Sequence, residues 1–243
     1  MNKYFYDLHI HSCLSPCASN DMTPNNIAGM ASVCGLNIVA LTDHNSVKNC
    51  RPFFAAAKRY GIIAVAGMEM TTAEDVHMVC LFPTLDSAEA FYGEYEKYRI
   101  LYKNRKDIFG DQLILDEDDN VIAEEENLLI NASSLGISDG KLLVEKYGGA
   151  VFPAHIDRSE NGIISALGCM PSDPEFSCIE FNDGNNIPEY TEKYHLENKI
   201  VLTDSDAHYL ENINEAQNFI MLDDEPYSSA LVREKLISYI KGK

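Results

Sequence analysis

The sequence predicts an α/β protein whose strands close into a barrel. Strand-like and helix-like segments alternate along nearly all of the 243 residues, and about seven such units fit into that length. Ionisable residues recur where strand-like segments end. Strands that alternate with helices pair in parallel through right-handed crossovers, and barrels of this kind carry their active sites at the carboxyl ends of the strands. We therefore expect a closed α/β barrel rather than an open sheet.

Apolar runs and helix-boundary signals mark the elements in the first half of the chain. Thr23-Pro24 is typical of a helix start, because threonine caps the helix and proline fits its first turn. Gly35 and Gly61 are expected to end the first two helices. The predicted strands are residues 3–8, 37–42, 62–70 and 76–82, and the predicted helices are about 23–34, 47–60 and 86–105.

The middle of the chain departs from this alternation. The stretch DQLILDEDDNVIAEEE alternates apolar and polar residues around Asp118-Asp119-Asn120, which predicts a β-hairpin. Because it lies between predicted helices, we interpret residues 106–135 as an inserted segment on one face of a single barrel domain, residues 1–243. Beyond it the predicted helices are 138–147 and 227–241, and the predicted strands are 150–154, 177–181, 199–203 and 217–222.

The charge balance narrows the classes of partner. The chain has 38 Asp and Glu against 19 Lys and Arg, a formal charge of −19. So few cations cannot form a broad basic surface, which argues against long nucleic acid and anionic membranes as partners. A small phosphorylated substrate remains compatible, because bound metal ions reverse the local field. The seven cysteines lack paired C-x-x-C spacing, and no apolar run could span a bilayer, so we expect a cytoplasmic protein with reduced thiols.

Two histidines near the N-terminus give the first chemical signal. In the run Asp7-Leu8-His9-Ile10-His11, side chains two residues apart point to the same face of a strand. Asp7, His9 and His11 therefore project together. Two imidazoles this close are difficult to protonate at once, but both can donate nitrogen to one metal ion. Alone, this pair could equally be two ordinary polar residues of a strand.

The same types of residue recur at later strand ends, which favours a metal cluster. Six of the seven histidines lie at strand edges with carboxylates among them, and His195, in a polar helix-like stretch, is the exception. The recurring residues are Asp43 and His44 in LTDHN, Glu69 in GMEM, His77 in VHMVCLF, His155 in FPAH, and Asp206 and His208 in TDSDAH.

Together these motifs resemble the PHP superfamily, the polymerase and histidinol phosphatase domain. DLHIHS, LTDHN, a following G-x-E, an internal VH, PAH and SDAH appear in that family's order over essentially the whole chain. The resemblance implies a distorted, TIM-like barrel of about seven β/α units. It also implies the ligands of each metal ion. His9, His11 and Asp206 would bind a first ion, and Glu69 would bridge it to a second ion held by His77 and His155. His44 and His208 would belong to a third site, and Asp7 and Asp43 would orient histidines by accepting their free N–H groups.

The third site is where the sequence departs from the family pattern. Many relatives have Asp at the position of Pro16, and others have His at the position of Cys17. A thiolate is a competent ligand, especially for zinc, so Cys17 is our candidate, with Asp21 as the alternative. Asp204 is a second departure, because relatives often have glycine there. The cluster is therefore expected to hold two or three divalent ions, and the mixed nitrogen and oxygen ligands suit manganese, iron or zinc.

The resemblance implies a metal-dependent phosphoesterase. The expected reaction is in-line attack of a metal-bound hydroxide on a small phosphate monoester or a nucleotide phosphate. Arg158, in AHIDR, is the candidate phosphate clamp, because a guanidinium binds two oxygens at once. The alternatives are an amidohydrolase-type hydrolase, a non-catalytic regulatory module and a metal-storage protein. Amidohydrolases usually bridge their metals with a modified lysine, whereas Glu69 occupies that strand end here.

Overall fold

Ten strands and eight α-helices make up the computed structural model, which describes residues 1–243. The strands are β1 (Asn2–Asp7), β2 (Ile38–Leu41), β3 (Ile63–Thr71), β4 (His77–Phe82), β5 (Leu113–Leu115), β6 (Val121–Glu124), β7 (Ala150–Pro153), β8 (Cys178–Phe181), β9 (Ile200–Thr203) and β10 (Phe219–Leu222). The helices are α1 (Pro24–Val33), α2 (Cys50–Tyr60), α3 (Leu85–Tyr95), α4 (Lys106–Phe109), α5 (Ile137–Lys146), α6 (Ile163–Leu167), α7 (Ile187–Tyr194) and α8 (Ser229–Ile240).

The strands form a curled sheet that closes imperfectly into a barrel. Six strands follow the order β10-β1-β2-β3-β4-β7, and β8 and β9 form a separate parallel pair. The Ile156 N–H donates to the Glu180 carbonyl at 2.9 Å, which joins the end of β7 to β8. On the other side, the His11 N–H donates to the Ala207 carbonyl at 3.0 Å, which joins the residues after β9 to those after β1. This is the distorted α/β barrel that the sequence predicts.

The expectation of parallel pairing throughout is wrong for part of the sheet. β1, β2 and β3 are parallel, but β4 is antiparallel to both β3 and β7, and β10 is antiparallel to β1. Only residues 72–76 connect β3 to β4. A parallel crossover needs about a dozen residues or more. Because this connection is much shorter, the two strands must run in opposite directions.

The ends of α1 and α2 lie where the capping residues in the sequence predict them. The Thr23 side chain accepts from the Asn26 N–H and Pro24 occupies the first turn, as expected for α1. α2 ends at Gly61, which has the left-handed φ of 74°. The predicted helix 86–105 is wrong beyond Tyr95, because the backbone becomes extended at Arg99 and pairs with Ser133.

The inserted segment (residues 106–135) contains the predicted hairpin and is attached to the barrel through both backbone and side-chain groups. β5 and β6 pair antiparallel around a turn at Asp119. The Leu113 N–H donates to the Cys13 carbonyl at 2.9 Å, and the Asn49 side chain bonds to the backbone of Leu113 and Leu115 at 3.0 Å each. This arrangement leaves β6 on the outside, with all four of its residues exposed.

Alternation along the strands divides the apolar residues between two faces. On β3, Ala64, Ala66 and Met68 pack in a 40-residue core under the helices. Ile63 and Val65 instead face a 20-residue core inside the barrel, to which α8 contributes four residues. Glu69 has the same parity as Val65 and therefore lies on the interior face. No helix combines the length and the apolar character needed to cross a membrane.

Candidate metal centre

Eight residues that the sequence selects as metal ligands converge at one end of the barrel. His9 and His11 follow β1, His44 follows β2, Glu69 lies near the end of β3, His77 begins β4, His155 follows β7, and Asp206 and His208 follow β9. His77 reaches the same end as the others because β4 runs antiparallel, so that its first residue pairs with Thr71. Because β4 runs in the opposite direction, its first residue lies beside the carboxyl ends of the neighbouring strands.

Glu69 is the centre of this group. Its Oε1 atom lies 2.8 Å from His77 Nδ1, 3.2 Å from His155 Nε2 and 3.3 Å from His9 Nε2. Its Oε2 atom lies 2.8 Å from His44 Nδ1 and 3.4 Å from His11 Nε2. The side chain is 1% exposed. The two oxygens therefore face different sets of histidines, as expected for a carboxylate shared between ions.

His9, His11 and Asp206 form the first group of donors. The two Nε2 atoms are 3.2 Å apart, and Asp206 Oδ1 lies 3.4 Å from that of His9 and 3.1 Å from that of His11. The donor atoms of the three residues all lie within 4.8 Å of one another. Asp206 has a φ of 49°, an uncommon backbone conformation for a non-glycine residue. The expected first site is brought together as a unit.

Two further groups involve His44. Donor atoms of His44, Glu69 and His77 lie within 4.8 Å of one another, and so do those of His11, His44 and His208. His44 thus stands between the positions expected for the second and third ions. His155 contacts Glu69 but completes no such group.

Several buried atoms of the cluster lie close to one another without making a hydrogen bond of good geometry. They include His44 Nδ1 and Glu69 Oε2, which are 2.8 Å apart, and Asp206 Oδ1, which is 3.1 Å from His11 Nε2. A buried polar atom without a partner is costly, and a bound cation would satisfy all three. The donors are imidazoles and carboxylates, which suit divalent transition metals. The residues present therefore fit a metal centre.

The charges of the cluster are strongly coupled. Burial opposes a charged His9, but nearby carboxylates, led by that of Glu180, raise the pKa of His9 well above its usual value. Burial and two neighbouring histidines lower the pKa of His11 well below its usual value. Burial would raise the pKa of Glu69, yet the surrounding histidines, led by His77, lower it strongly. Protons on histidines thus balance the carboxylates, and metal ions would replace those protons.

Cys17 lies at the rim of the third group. Burial of its sulfur raises the thiol pKa, but hydrogen bonding to His208 and His44 outweighs this and lowers the pKa from 9.0 to about 6. The interaction puts the sulfur beside the two histidines expected at the third site. For Asp21, the alternative ligand, the contact present is between its carbonyl and the Asn26 side chain, outside the cluster. This electrostatic coupling favours Cys17, although its sulfur belongs to none of the three groups of neighbouring donor atoms.

The carboxylates behind the cluster hold the strand ends in place. Asp43 accepts hydrogen bonds from the Ser12 and Ser15 hydroxyls at 2.7 Å, and Ser15 lies 3.0 Å from His11 Nδ1. Asp43 therefore acts on His11 through a serine. Asp7 accepts from backbone N–H groups of Ser205 and Asn214 at 3.1 Å and contacts no histidine ring.

Arg158 and Asp204 are both tied to neighbouring groups. Arg158 donates to Asp206 Oδ2 at 2.5 Å and to Asn182 Oδ1 from two nitrogens, and its side chain is 39% exposed. Asp204 is buried and accepts from the Leu8 N–H at 2.6 Å. Burial, then the charges of Glu180 and Asp7, raise the pKa of Asp204 well above its usual value.

Sequence reasoning missed Glu180. This residue of β8 is 1% exposed, and its carboxylate lies 3.0 Å from His9 Nδ1. The sequence does contain a signal, because SCIEF puts a lone carboxylate near the end of an apolar strand, as GMEM does for Glu69. An acidic residue inside such a strand requires a partner when buried.

Comparison with known proteins decides the family. The sequence profile of the PHP domain matches residues 7–169. The chain belongs to the PHP domain family. This confirms the resemblance stated from the motifs, and with it the broad class of metal-dependent hydrolase.

Individual PHP relatives and similar structures differ in length. A 5′-3′ exoribonuclease from Haemophilus influenzae is 33% identical over 79 residues, which is 31% of this chain and 28% of that protein. The crystal structure of a lesion-specific endonuclease, EndoQ from Pyrococcus furiosus, matches with a TM-score of 0.64 at 18% identity. The match covers 99% of this PHP chain and 56% of the endonuclease chain. A candidate metal-dependent phosphoesterase from Bifidobacterium adolescentis has a TM-score of 0.59 at 18% identity, over 95% of both chains. The likenesses to solved structures show the fold. The chain spans 28% of the exoribonuclease and 56% of the endonuclease.

Proposed function

We propose that this protein is a metal-dependent phosphoesterase that hydrolyses a phosphate ester at the strand-end cluster. One observation carries the proposal: imidazoles and a second carboxylate surround the buried Glu69, and several nitrogen and oxygen atoms of this cluster are in contact without a hydrogen bond of good geometry. Such a donor set is arranged for cations. PHP family membership supports the assignment to hydrolases.

The distances support an assignment of ligands to ions. His9, His11 and Asp206 would hold the first ion, and Glu69 would bridge it to a second held by His77 and His155. His44 and His208 would hold a third, with His44 also within reach of the second. Cys17 would be a further ligand of the third ion, on the evidence of the coupling of its thiol to these two histidines. Manganese, iron and zinc suit this mixture of nitrogen, oxygen and sulfur ligands.

The residues at the rim would bind and orient the substrate. Bound divalent ions would supply an activated water nucleophile and neutralise charge on the phosphoryl group. Arg158, half-exposed beside Asp206, is placed to contact a phosphate oxygen that approaches the first ion. In a cluster of two ions, His208, with 21% of its side chain exposed, would be the cluster histidine best placed to donate a proton to a leaving group.

The substrate would be a small phosphate monoester or a nucleotide phosphate. Two of the similar proteins are named as nucleases, an exoribonuclease and an endonuclease, which favours a substrate that carries nucleotides. The same names remove support from the expectation that long nucleic acid is excluded by a net charge of −19. Nucleic acid therefore belongs among the substrates to be tested.

A phosphatase screen on the metal-reconstituted protein tests the proposal. The panel comprises p-nitrophenyl phosphate, a nucleoside 3′,5′-bisphosphate, a 5′-phosphorylated oligonucleotide and a DNA duplex with an abasic lesion, together with amide and lactone substrates for the amidohydrolase alternative. We expect phosphate ester hydrolysis that is abolished in His9→Ala and retained in His195→Ala, since His195 is an exposed residue that ends α7 away from the cluster.

Two results would overturn the proposal. The first is full activity in His9→Ala. The second is turnover of the amide or lactone substrates alone, by protein that binds its metal ions, which would favour the amidohydrolase alternative instead.

A further inference from the structure

Glu180 lies behind His9, on the side of the ring away from the cluster. Its two oxygens lie 3.1 and 3.0 Å from His9 Nδ1. The other ring nitrogen, Nε2, faces Glu69 at 3.3 Å and Asp206 at 3.4 Å. The two nitrogens of one imidazole therefore have separate partners, a carboxylate of β8 behind and the cluster in front.

The same carboxylate also holds the end of β7. Glu180 Oε1 accepts from the His155 N–H at 3.1 Å, and the Glu180 carbonyl accepts from the Ile156 N–H at 2.9 Å. His155 has a φ of 29°, a conformation that non-glycine residues rarely adopt and that needs support from its surroundings. A single side chain thus connects two predicted ligands from different strands.

The environment of His11 shows that this contact is particular to His9. The Nδ1 atom of His11 meets the neutral hydroxyl of Ser15 at 3.0 Å, and Asp43 acts on it only through that serine. Of the two Nδ1 atoms, only that of His9 meets a buried carboxylate directly. A carboxylate that accepts the free N–H of a ligating histidine fixes its tautomer and ring orientation, and raises the basicity of the nitrogen that binds metal.

We infer that Glu180 is a positioning residue that keeps the proton of His9 on Nδ1 and so presents a bare Nε2 to the metal cluster, while it also fixes the backbone of His155. The inference rests on the proposed function only in treating the cluster as a metal centre. It requires no particular substrate.

The variant Glu180→Gln tests this inference because it keeps the size of the side chain. If the amide oxygen continues to accept from the His155 N–H, the amide NH₂ group faces His9 Nδ1. A donor at that position favours the opposite tautomer, with the proton on Nε2, where it blocks a metal ligand. We expect Zn²⁺ and Mn²⁺ affinity, measured by competition with a chelator, to fall about 10–100-fold.

A second readout separates positioning from general support of the fold. In the Zn²⁺-loaded wild-type protein, long-range ¹H–¹⁵N spectra should show a His9 ring with a proton on Nδ1 and metal on Nε2, and Glu180→Gln should lose that signature. Asp224→Asn is the matched control, since it removes another buried carboxylate, one that bonds to Asn2 and Tyr4 and to no histidine. It should leave the His9 signature unchanged.

The outcomes distinguish this inference from the proposed function. Wild-type metal affinity and an unchanged His9 spectrum in Glu180→Gln would overturn it. If Glu180→Gln does not fold, the wild-type spectrum still decides, because a His9 ring without a proton on Nδ1 is incompatible with the inference. A protein that binds metal through this arrangement yet hydrolyses no phosphate ester would refute the proposed function and leave the role of Glu180 standing.

Discussion

The guanidinium of Arg158 donates to the Asp206 carboxylate at 2.5 Å, on the oxygen that faces away from His9 and His11. The residue expected to bind substrate phosphate is thus joined to a residue expected to bind metal. Asn182 accepts from two other nitrogens of the same guanidinium and fixes its plane. We therefore expect substrate binding and the first metal position to be coupled through this ion pair.

Replacing Arg158 by alanine should weaken substrate binding more than it lowers the turnover rate. A charge-assisted hydrogen bond is worth about 1.5–3 kcal/mol, so we expect KM for phosphate esters to rise about 10–100-fold. Steady-state kinetics on Arg158→Ala provide the measurement, with Arg105→Ala as control, because Arg105 is exposed and pairs only with Asp107. An unchanged KM would mean that Arg158 serves Asp206 alone.

Removal of the Cys17 sulfur should affect one metal position and spare the others. Because the thiol interacts with His208 and His44 but not with Glu69, Cys17→Ser should reduce the metal content per chain by one ion. Elemental analysis after dialysis gives the count. Cys169→Ser, which removes another exposed thiol, should keep the wild-type content. Equal metal content in both variants would rule out Cys17 as a ligand.

The Cys17 thiol should also titrate in protein stripped of metal by a chelator. Its pKa falls from 9.0 to about 6 in the folded state, so its alkylation by iodoacetamide should reach half its maximal rate near pH 6. A folded-state pKa below the unfolded value contributes stability that is complete above pH 9 and is lost as the pH falls towards 6. In denaturant titrations, the unfolding free energy of the wild type should therefore fall relative to that of Cys17→Ser as the pH is lowered from 9 to 6. A rate that rises only near pH 9 would contradict the interaction with the two histidines.

Asn45 should be one of the most sensitive positions outside the metal centre. Its buried side chain donates to the carbonyls of Leu129 and Asn131 at 2.6 and 3.0 Å, and it accepts from the Thr71 N–H at 2.9 Å and from the Tyr95 hydroxyl. Each buried group left without a partner costs about 1–3 kcal/mol, so Asn45→Ala should lose about 2–4 kcal/mol of unfolding free energy.

Hydrogen exchange would show where that loss acts. Amides near Leu129 and Asn131 should exchange faster in Asn45→Ala, because their connection to the barrel is broken. The exposed Asn185→Ala is the control and should change neither quantity. Unaltered exchange in the inserted segment would show that other contacts hold it.

Gly67 is required by space rather than by backbone conformation. A Cβ at this position would lie 2.8 Å from the Cys80 carbonyl oxygen, the Leu81 side chain and the Thr42 side chain. We expect Gly67→Ala to cost about 1–3 kcal/mol by overpacking. Gly93→Ala in α3 meets nothing within 4 Å and should stabilise the protein by about 0.5–1 kcal/mol. Thermal unfolding of the two variants should therefore shift in opposite directions, and a stable Gly67→Ala would contradict the packing argument.

The sequence allowed most of the elements and the convergence of the ligands to be predicted, because both depend on local patterns. Apolar runs locate β1, β2 and β3, and the strand-end rule brings His9, His44 and Glu69 to one edge. The direction of β4 was not predicted, because alternation alone does not reveal how strands pair. The short connection 72–76 held that information.

Contacts between distant residues account for what was missed at the site. Glu180 contacts His9 across 171 positions of sequence, and nothing near Glu180 in the chain indicates that partner. The link from Asp43 to His11 runs through a serine, so pairing rules applied to carboxylates and histidines alone do not reveal it. Predicted metal ligands are recognisable by type and position, whereas the residues that orient them depend on the packed fold.

The inserted segment is attached to the barrel in two ways. Its backbone bonds to the side chains of Asn45 and Asn49, and contacts of this kind do not depend on which side chains the segment carries. Its own side chains contribute as well, because Asp119 bonds to Thr23 and Asn25 and Glu125 pairs with Lys48. The exposed residues of β6 could therefore be varied in a library, or diverge during evolution, while the bonded and buried positions around them are kept.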